Sequence, residues 1–248
     1  MGDMIELSGG GKQFPAYVVR PRKEVKGGLI VIHEVWGLTD HIKSVADRYA
    51  DEGYHVIAPE LLGEIGITAG LAGQLQEELF DPERRAAAQP KIRELMAPIN
   101  VPGFAGQTTA KVQECFDYLA AQEDVGERVG VTGFCFGGTY SFALAVQQSK
   151  LRVAVPFYGH ADYSFQELAE IQCPILAFYG ENDERLMAQL PELKAKMLEA
   201  GVDFTAQVYR DAGHAFFNDT NRFAYNKVAA KDAWEKALEF IDKSFQGN

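Results

Sequence analysis

The chain has 248 residues, 47% apolar and 24% charged, which is typical of a soluble globular protein and excludes a disordered, collagen-like or coiled-coil chain. Its 24 Lys and Arg against 35 Asp and Glu leave a net charge of -11, so we expect neither nucleic acid nor an anionic membrane as a partner. Three cysteines without paired spacing, and the lack of a signal peptide or a long apolar run, predict a cytoplasmic protein.

The first part of the chain predicts strands on either side of a helix. Residues 14–20 alternate in polarity, as an antiparallel strand does, and residues 28–33 are a short apolar run typical of a buried strand. Apolar residues from Ile42 to Tyr49 recur at helical spacing, and the predicted helix ends at Gly53. Residues 54–58 then form a second buried strand, which completes a strand–helix–strand unit.

Residues 59–104 interrupt this alternation. The segment is far longer than an ordinary connection of about 2 to 6 residues, and helical patterns occur within it at 74–79 and 84–96. No repeat or linker divides the chain. We therefore predict an excursion within a single domain that covers residues 1–248.

The second half of the chain resumes the alternation. Apolar residues between 112 and 119 recur at helical spacing, and later strands are predicted at 128–132, 152–158, 174–179 and 204–209. The helices between and after them are predicted at 137–147, 186–200 and 221–245. In the last helix we expect these side chains to face inward: Phe223, Val228, Trp234, Leu238 and Ile241. The pattern predicts an α/β fold with a mostly parallel sheet and helices on both faces.

Residues 128–138 predict a nucleophile elbow, a tight turn from a strand into a helix with a reactive side chain at its tip. Cys135 stands at the tip, with Gly133 and Gly137 two residues before and after it, where glycine permits the turn and leaves space beside the thiol. The start of a helix favours the thiolate, the form that attacks carbonyl groups. We interpret Cys115 and Cys173, which lie in or beside apolar patterns, as core residues.

A nucleophilic thiol needs a base. In elbow enzymes an acid and then a histidine follow the nucleophile along the chain, each after a later strand. Asp183 follows the strand at 174–179, and His214 follows the strand at 204–209. We therefore favour these two residues, with Glu181 and Glu184 as alternatives for the acid.

The remaining histidines fit the role of base less well. His41 and His55 precede or lie inside regular elements, whereas His160 follows a strand end and is a candidate to line the pocket. His33 and Glu34 do not begin an HExxH zinc motif, because a glycine stands four residues after His33, and we expect no metal. Glu34 follows a central strand, at the sheet edge where open α/β folds bind ligands.

Four motifs in this order resemble those of the dienelactone hydrolase family, also called carboxymethylenebutenolidases. They are HEVWG at 33–37, GFCFGG at 133–138, GEND at 180–183 and GHAF at 213–216. The resemblance spans nearly the whole chain. It implies the α/β-hydrolase fold, no cofactor, a monomer, and hydrolysis of a small lactone or carboxylic ester, of the type that converts dienelactone to maleylacetate.

The resemblance also implies roles for individual residues. Cys135 is implied as the nucleophile, His214 as the base, Asp183 as the residue that orients it, and Glu34 as the carboxylate next to the thiol. In the family, this Glu holds the resting Cys as a neutral thiol until substrate binding moves it. Cys135 would then attack the carbonyl to form a thioester, which a water activated by His214 would hydrolyse.

Backbone N–H groups complete the implied site. The family's oxyanion hole falls on the N–H groups of Val35 and Phe136, and their neighbours Trp36 and Phe134 are candidates for substrate binding.

The resemblance is weakest where substrate is recognised. Founding members use an Arg four residues beyond the catalytic His to bind the dienelactone carboxylate, but this chain has Asn218 there. Arg84, Arg85 and Arg222 are candidates for a replacement cation. We therefore expect a hydrolase whose preferred substrate differs from dienelactone, such as a neutral short-chain ester or another lactone. A thiol redox protein or a non-catalytic binding protein on this scaffold is a less favoured alternative, since no CxxC motif occurs.

Overall fold

Short apolar runs form the strands of one eight-stranded sheet in the computed structural model, which describes residues 2–66, 69–81 and 83–247. The strands are β1 (Asp3–Gly9), β2 (Lys12–Val19), β3 (Gly27–Ile32), β4 (Tyr54–Pro59), β5 (Val129–Phe134), β6 (Val153–Phe157), β7 (Ile175–Gly180) and β8 (Phe204–Tyr209). Their order across the sheet is β1-β2-β4-β3-β5-β6-β7-β8. β2 pairs antiparallel with β1 and β4, and every other neighbouring pair is parallel, so the predicted mostly parallel sheet is confirmed.

Helices cover both faces of this sheet. They are α1 (Asp40–Asp51), α2 (Ala69–Phe80), α3 (Arg85–Met96), α4 (Phe104–Ala120), α5 (Phe136–Gln147), α6 (Phe165–Leu168), α7 (Glu184–Glu199) and α8 (Lys227–Gln246). Consecutive strand residues point to opposite faces. A Cβ at Gly27 would meet Phe245 of α8, and one at Gly28 would meet Leu119 of α4, so α8 and α4 lie on opposite faces. Every residue of the five strands β3 to β7 is accordingly buried.

The parallel strands bring the candidate chemistry to one edge of the sheet. Glu34 follows β3, Cys135 follows β5, Asp183 follows β7 and His214 follows β8. Because parallel strands end at the same edge, four segments far apart in sequence meet there. This edge is where ligands of open α/β sheets bind.

The predicted excursion at 59–104 contains α2 and α3, with short 3₁₀ turns at Gly63–Ile65 and Ala97–Asn100. Its residues 67, 68 and 82 lie outside the described part of the chain. Glu64 anchors its first turn to the main fold through ion pairs with Lys12 and Lys111, whose Nζ atoms lie 2.5 and 2.9 Å from the carboxylate oxygens.

The ends of the chain show one strand that was not predicted and one helix whose prediction is corrected. The additional strand β1 pairs with β2, and the sequence pattern did not reveal it because its side chains are exposed or only partly buried. The last helix begins at Lys227 rather than at residue 221, and Phe223 and Val228 face solvent at 46% and 80% exposure. Small residues make most of its buried face instead: Ala229, Ala230, Ala233, Ala237, Ile241 and Phe245.

Two features of the outer surface complete the description. Each helix among the described residues is too short or too polar to pass through a bilayer. β8 is the last strand of the sheet: it pairs with β7 along one edge and with no described strand along the other.

Candidate active site

The turn from β5 to α5 has the geometry of a nucleophile elbow. Cys135 has φ 55° and ψ -108°, a conformation that non-glycine residues rarely adopt, and its N–H donates to the Phe157 carbonyl at 3.0 Å. A Cβ at Gly133 would lie 2.3 Å from the Gly137 carbonyl oxygen, and one at Gly137 would lie 2.2 Å from the Ile32 carbonyl oxygen. Only glycine fits at these two positions, and the turn leaves the Cys135 side chain partly accessible.

His214 lies between Cys135 and Asp183. Its Nδ1–H donates to Asp183 Oδ2 at 2.5 Å, and the same ring interacts electrostatically with the Cys135 side chain. Asp183 is held in turn as the N-cap of α7, where its Oδ1 accepts from the Leu186 N–H at 3.3 Å. The structure thus brings together the three predicted residues. The alternative acids Glu181 and Glu184 are both exposed.

The charges within this triad are mutually dependent. Burial lowers the pKa of His214, but the negative charge of an ionised Cys135 and the hydrogen bond with Asp183 outweigh burial and raise the pKa to about 10. Burial raises the pKa of Asp183, but the hydrogen bond from His214 and the charge on its ring leave the pKa below its ordinary value. His214 is therefore protonated at neutral pH, and a protonated imidazole favours a neighbouring thiolate.

Glu34 is buried beside the triad and hydrogen-bonds to two side chains that the sequence did not predict as its partners. Tyr158 Oη donates to Glu34 Oε1 at 3.2 Å, and Asn218 Nδ2 donates to Glu34 Oε2 at 2.7 Å. Burial and the nearby charges of Glu34 and Cys135 raise the pKa of Tyr158 well above its ordinary value, so its hydroxyl remains a donor. The Tyr158 ring lies 5.1 Å from the His214 ring.

The two predicted oxyanion donors have no hydrogen-bond acceptor among the described residues. Phe136 is the first residue of α5, and neither its N–H nor that of Val35 donates to an acceptor within the described part of the chain. Their two segments are in contact, because the Gly137 N–H donates to the His33 carbonyl at 3.0 Å. Free N–H groups on adjoining segments beside a nucleophile are what an oxyanion hole requires.

The other cysteines are core residues. Burial raises the pKa of the Cys115 thiol far above its ordinary value and that of Cys173 to about 12. Both side chains are buried, so neither thiol is available as a nucleophile. Among the described residues no group of three His, Cys, Asp or Glu is placed to hold a metal ion.

The predicted substrate-binding residues differ in accessibility. Phe134 has no exposed surface, and its ring packs 4.8 Å from Phe157 and 5.1 Å from Phe217, so we correct its assignment to the core beneath the elbow. Trp36 is 4% exposed. His160 is partly buried, and its Nδ1 lies 2.9 Å from Gln189 Oε1.

The three candidate cations make local contacts outside the triad. Arg84 pairs with Asp81 at 2.8 Å, and Arg85 Nε donates to the Leu79 carbonyl at 3.1 Å. Arg222 stacks over the Phe223 ring at 4.7 Å. The structure brings none of them into contact with the triad or with Glu34 within the described residues.

The fold and the site together define an α/β-hydrolase: a mostly parallel sheet, a cysteine at an elbow after β5, an acid after β7 and a histidine after β8. Comparison with known proteins narrows this class. The sequence profile of the dienelactone hydrolase family matches residues 14–245. The chain therefore belongs to the dienelactone hydrolase family, and it is a hydrolase.

Individual relatives match this chain over nearly their full length. A Saccharolobus solfataricus protein, provisionally named a carboxymethylenebutenolidase, is 31% identical over 93% of this chain and 94% of its own. Protein usf of Aquifex pyrophilus is 30% identical over 97% and 98%. A Klebsiella pneumoniae crystal structure, provisionally titled a dienelactone hydrolase, superposes with a TM-score of 0.78 at 25% identity, covering 97% of this chain and 98% of the other.

Proposed function

We propose that the protein is a cysteine-dependent hydrolase of a lactone or carboxylic ester, with Cys135 as nucleophile, His214 as base and acid, and Asp183 as the residue that orients His214. One observation carries this proposal: Asp183 is hydrogen-bonded to His214, and the His214 ring interacts electrostatically with Cys135 at the tip of the elbow. A thiolate beside a protonated imidazole is the reactive state of a cysteine nucleophile.

The reaction follows from this arrangement. The Cys135 thiolate attacks the substrate carbonyl, and the N–H groups of Val35 and Phe136 stabilise the oxyanion that forms. The intermediate collapses to a thioester while the leaving oxygen takes the proton of His214. His214, now neutral, removes a proton from water, and the resulting hydroxide attacks the thioester carbonyl. The C–S bond breaks, which releases the carboxylic acid and restores the thiolate–imidazolium pair.

Contacts of Asn218 support a substrate without a carboxylate. In this chain the position expected for an anion-binding Arg carries an amide that donates to Glu34. The candidates Arg84, Arg85 and Arg222 contact other groups. A net charge of -11 repels an anion unless a local cation binds it. We therefore propose that neutral short-chain esters or lactones are preferred to dienelactone.

Hydrolysis assays with three kinds of substrate test both parts of the proposal. Dienelactone, neutral lactones and p-nitrophenyl esters of short acids are compared with the wild type, Cys135→Ala and Cys135→Ser. Cys115→Ala is the matched control, because it removes a buried thiol outside the triad. Intact-mass spectrometry during turnover detects the thioester.

We expect hydrolysis of neutral esters by the wild type and Cys115→Ala, a thioester on the wild type, and no measurable turnover by Cys135→Ala. Substantial activity in Cys135→Ala would refute the mechanism. A clear preference for dienelactone would refute the proposed substrate class while leaving the mechanism intact.

A further inference from the structure

His33 is a fully buried residue at the end of β3 that the proposed reaction does not use. It contacts both segments that carry the oxyanion donors. Its side chain lies against the Glu34–Val35 peptide, and its carbonyl and its ring contact the first turn of α5.

The side-chain contact determines where the Val35 N–H points. His33 Nδ1 lies 2.6 Å from the Glu34 carbonyl oxygen, and the Gly37 N–H approaches the same oxygen at 3.3 Å. In a planar trans peptide the C=O of one residue and the N–H of the next point in opposite directions. Holding the Glu34 carbonyl toward the His33 ring therefore directs the Val35 N–H away from it.

The partner of the second ring nitrogen selects the tautomer. His33 Nε2 accepts from the Leu61 N–H at 3.0 Å, so the single proton of a neutral ring is on Nδ1, the nitrogen that donates to Glu34. Burial lowers the pKa of His33 despite the nearby Glu60 carboxylate, which keeps the ring neutral. The Glu60 carboxylate also accepts a hydrogen bond from the Leu38 N–H at 2.7 Å, and this bond holds the far end of the loop that follows His33.

The remaining contacts hold the second donor. The His33 carbonyl accepts from the Gly137 N–H at 3.0 Å, and the His33 ring is parallel to the Phe136 ring within 4° at a centroid distance of 5.7 Å. The peptide that precedes Gly137 begins at Phe136, whose own N–H is the other candidate donor. One buried residue thus contacts both segments of the oxyanion hole, the Glu34–Val35 peptide through Nδ1 and the first turn of α5 through its carbonyl and its ring.

We infer that His33 is a positioning residue that aligns the Val35 N–H group on the oxyanion, beside the Phe136 N–H, through its Nδ1–H bond to the Glu34 carbonyl. This inference rests on the proposed function. It goes further in assigning a role in transition-state stabilisation to a residue outside the triad.

Two substitutions distinguish the contributions of the two ring nitrogens of His33. The amide nitrogen of His33→Asn is two bonds beyond Cβ, like Nδ1, and can still donate to Glu34. The amide of His33→Gln is one bond further out, like Nε2, so it preserves the contact with Leu61 and loses the donor to Glu34. His55→Gln is the matched control, because His55 is equally buried on the neighbouring strand β4 and has no hydrogen-bond partner among the described residues.

Two reactions of Cys135 then distinguish alignment from general damage. Acylation by p-nitrophenyl acetate builds an oxyanion, whereas alkylation by iodoacetamide does not. We expect His33→Gln to slow acylation by about 10- to 100-fold, less than the about 100- to 1000-fold cost of deleting a donor, with alkylation within about threefold of the wild type. His33→Asn should retain most of the acylation rate, and His55→Gln should match the wild type in both reactions.

Three results would overturn the inference. They are acylation by His33→Gln at the wild-type rate, equal losses in His33→Asn and His33→Gln, and acylation falling in parallel with alkylation. A wild type that is alkylated at Cys135 but never acylated by any ester would instead refute the proposed function, and this inference with it.

A measurement on the wild type covers the case in which His33→Gln does not fold. The chain has five histidines, so ¹⁵N NMR of histidine-labelled protein can resolve each ring. We expect His33 to remain a neutral Nδ1–H tautomer across the pH range of activity. An Nε2–H tautomer would contradict the inference, because Nδ1 could not then donate to Glu34.

Discussion

Among single residues, the imidazole of His214 matters most for the proposed reaction, because that reaction transfers its proton to the leaving group. Its pKa of about 10 lies above the ordinary histidine value of about 6.5. The ring is thus protonated from neutral pH up to about 10, and it loses its proton as the pH rises through that value. We therefore expect the pH profile of kcat/KM to fall on its alkaline side near pH 10.

Asp183→Asn tests this charge coupling. The amide removes a negative charge and a strong acceptor, so the pKa of His214 should fall and the alkaline fall in kcat/KM should move to lower pH. The rate should drop by about 100-fold or more, because the ring also loses its orientation. Profiles measured with a neutral p-nitrophenyl ester check the shift. The control Glu184→Gln changes the exposed neighbouring carboxylate. If the pH profile of Asp183→Asn were identical to that of Glu184→Gln, the charge on Asp183 would not influence the pKa of His214.

Site residues were predictable from sequence where a local pattern marks them. Cys135 stands between two glycines at a strand–helix junction, and Asp183 and His214 each follow a later strand. No local sequence pattern predicts that Tyr158 and Asn218 contact Glu34. They act by reaching Glu34 across 124 and 184 positions of sequence, and a contact of that kind exists only once the sheet has formed.

Between elements, the packing of α5 against β3 and β5 sets the elbow. Gly137→Ala would place a methyl group 2.2 Å from a backbone oxygen of β3, which cannot move without shifting the sheet. We expect a loss of about 3 kcal/mol or more in the free energy of unfolding, measured by urea denaturation. Gly106→Ala in the exposed part of α4 meets no atom within 4 Å and should gain up to about 1 kcal/mol. Equal effects would show that close packing does not restrict Gly137.

The face of α8 shows why helical periodicity alone can mislead. The large apolar residues Phe223 and Val228 suggested an inward stripe, yet they are exposed. The helix lies so close to the sheet that alanines fill its buried face. A helical pattern is recognised in the sequence by its large apolar side chains. A helix that packs close to a sheet, however, has small side chains at the contact. The Trp234 ring, on the flank of the helix, instead packs 4.3 Å from Tyr49.

Paired substitutions test this orientation of α8. Ala233→Leu adds volume at a position with no exposed surface and should cost about 1 to 3 kcal/mol of unfolding free energy. Val228→Asp, at 80% exposure, should change it by less than about 0.5 kcal/mol. Thermal or urea unfolding measures both, and the opposite ranking would reverse the assignment of the two faces.

For the molecule as a whole, stability should depend on pH through His55. Burial, with a smaller contribution from Arg20, lowers the pKa of this histidine to about 4, below the ordinary value of about 6.5. Between these values the unfolded chain binds a proton that the folded chain excludes. The free energy of unfolding should therefore rise with pH from about 4 to 6.5, by about 3 kcal/mol from this group.

Urea titrations at several pH values check this prediction. His55→Gln removes the titrating group, so its stability should rise less across the same window than that of the wild type. An unchanged slope would mean that His55 does not govern acid stability.

The architecture was largely predictable, because apolar runs of strand length alternate with helical patterns over most of the chain. The exceptions share a cause. β1 carries few buried residues, and α8 packs through alanines, so neither has a strong apolar pattern. Both are specified by the sheet they join rather than by their own sequence.

The open edge of β8 has a practical consequence for handling the protein. Its sequence FTAQVY has no charged residue or proline to discourage pairing with another molecule. Mutual repulsion between copies that each carry eleven excess negative charges is then the main colloidal protection. That protection vanishes near the isoelectric point of about 5.0, so purification and storage are best kept well above it.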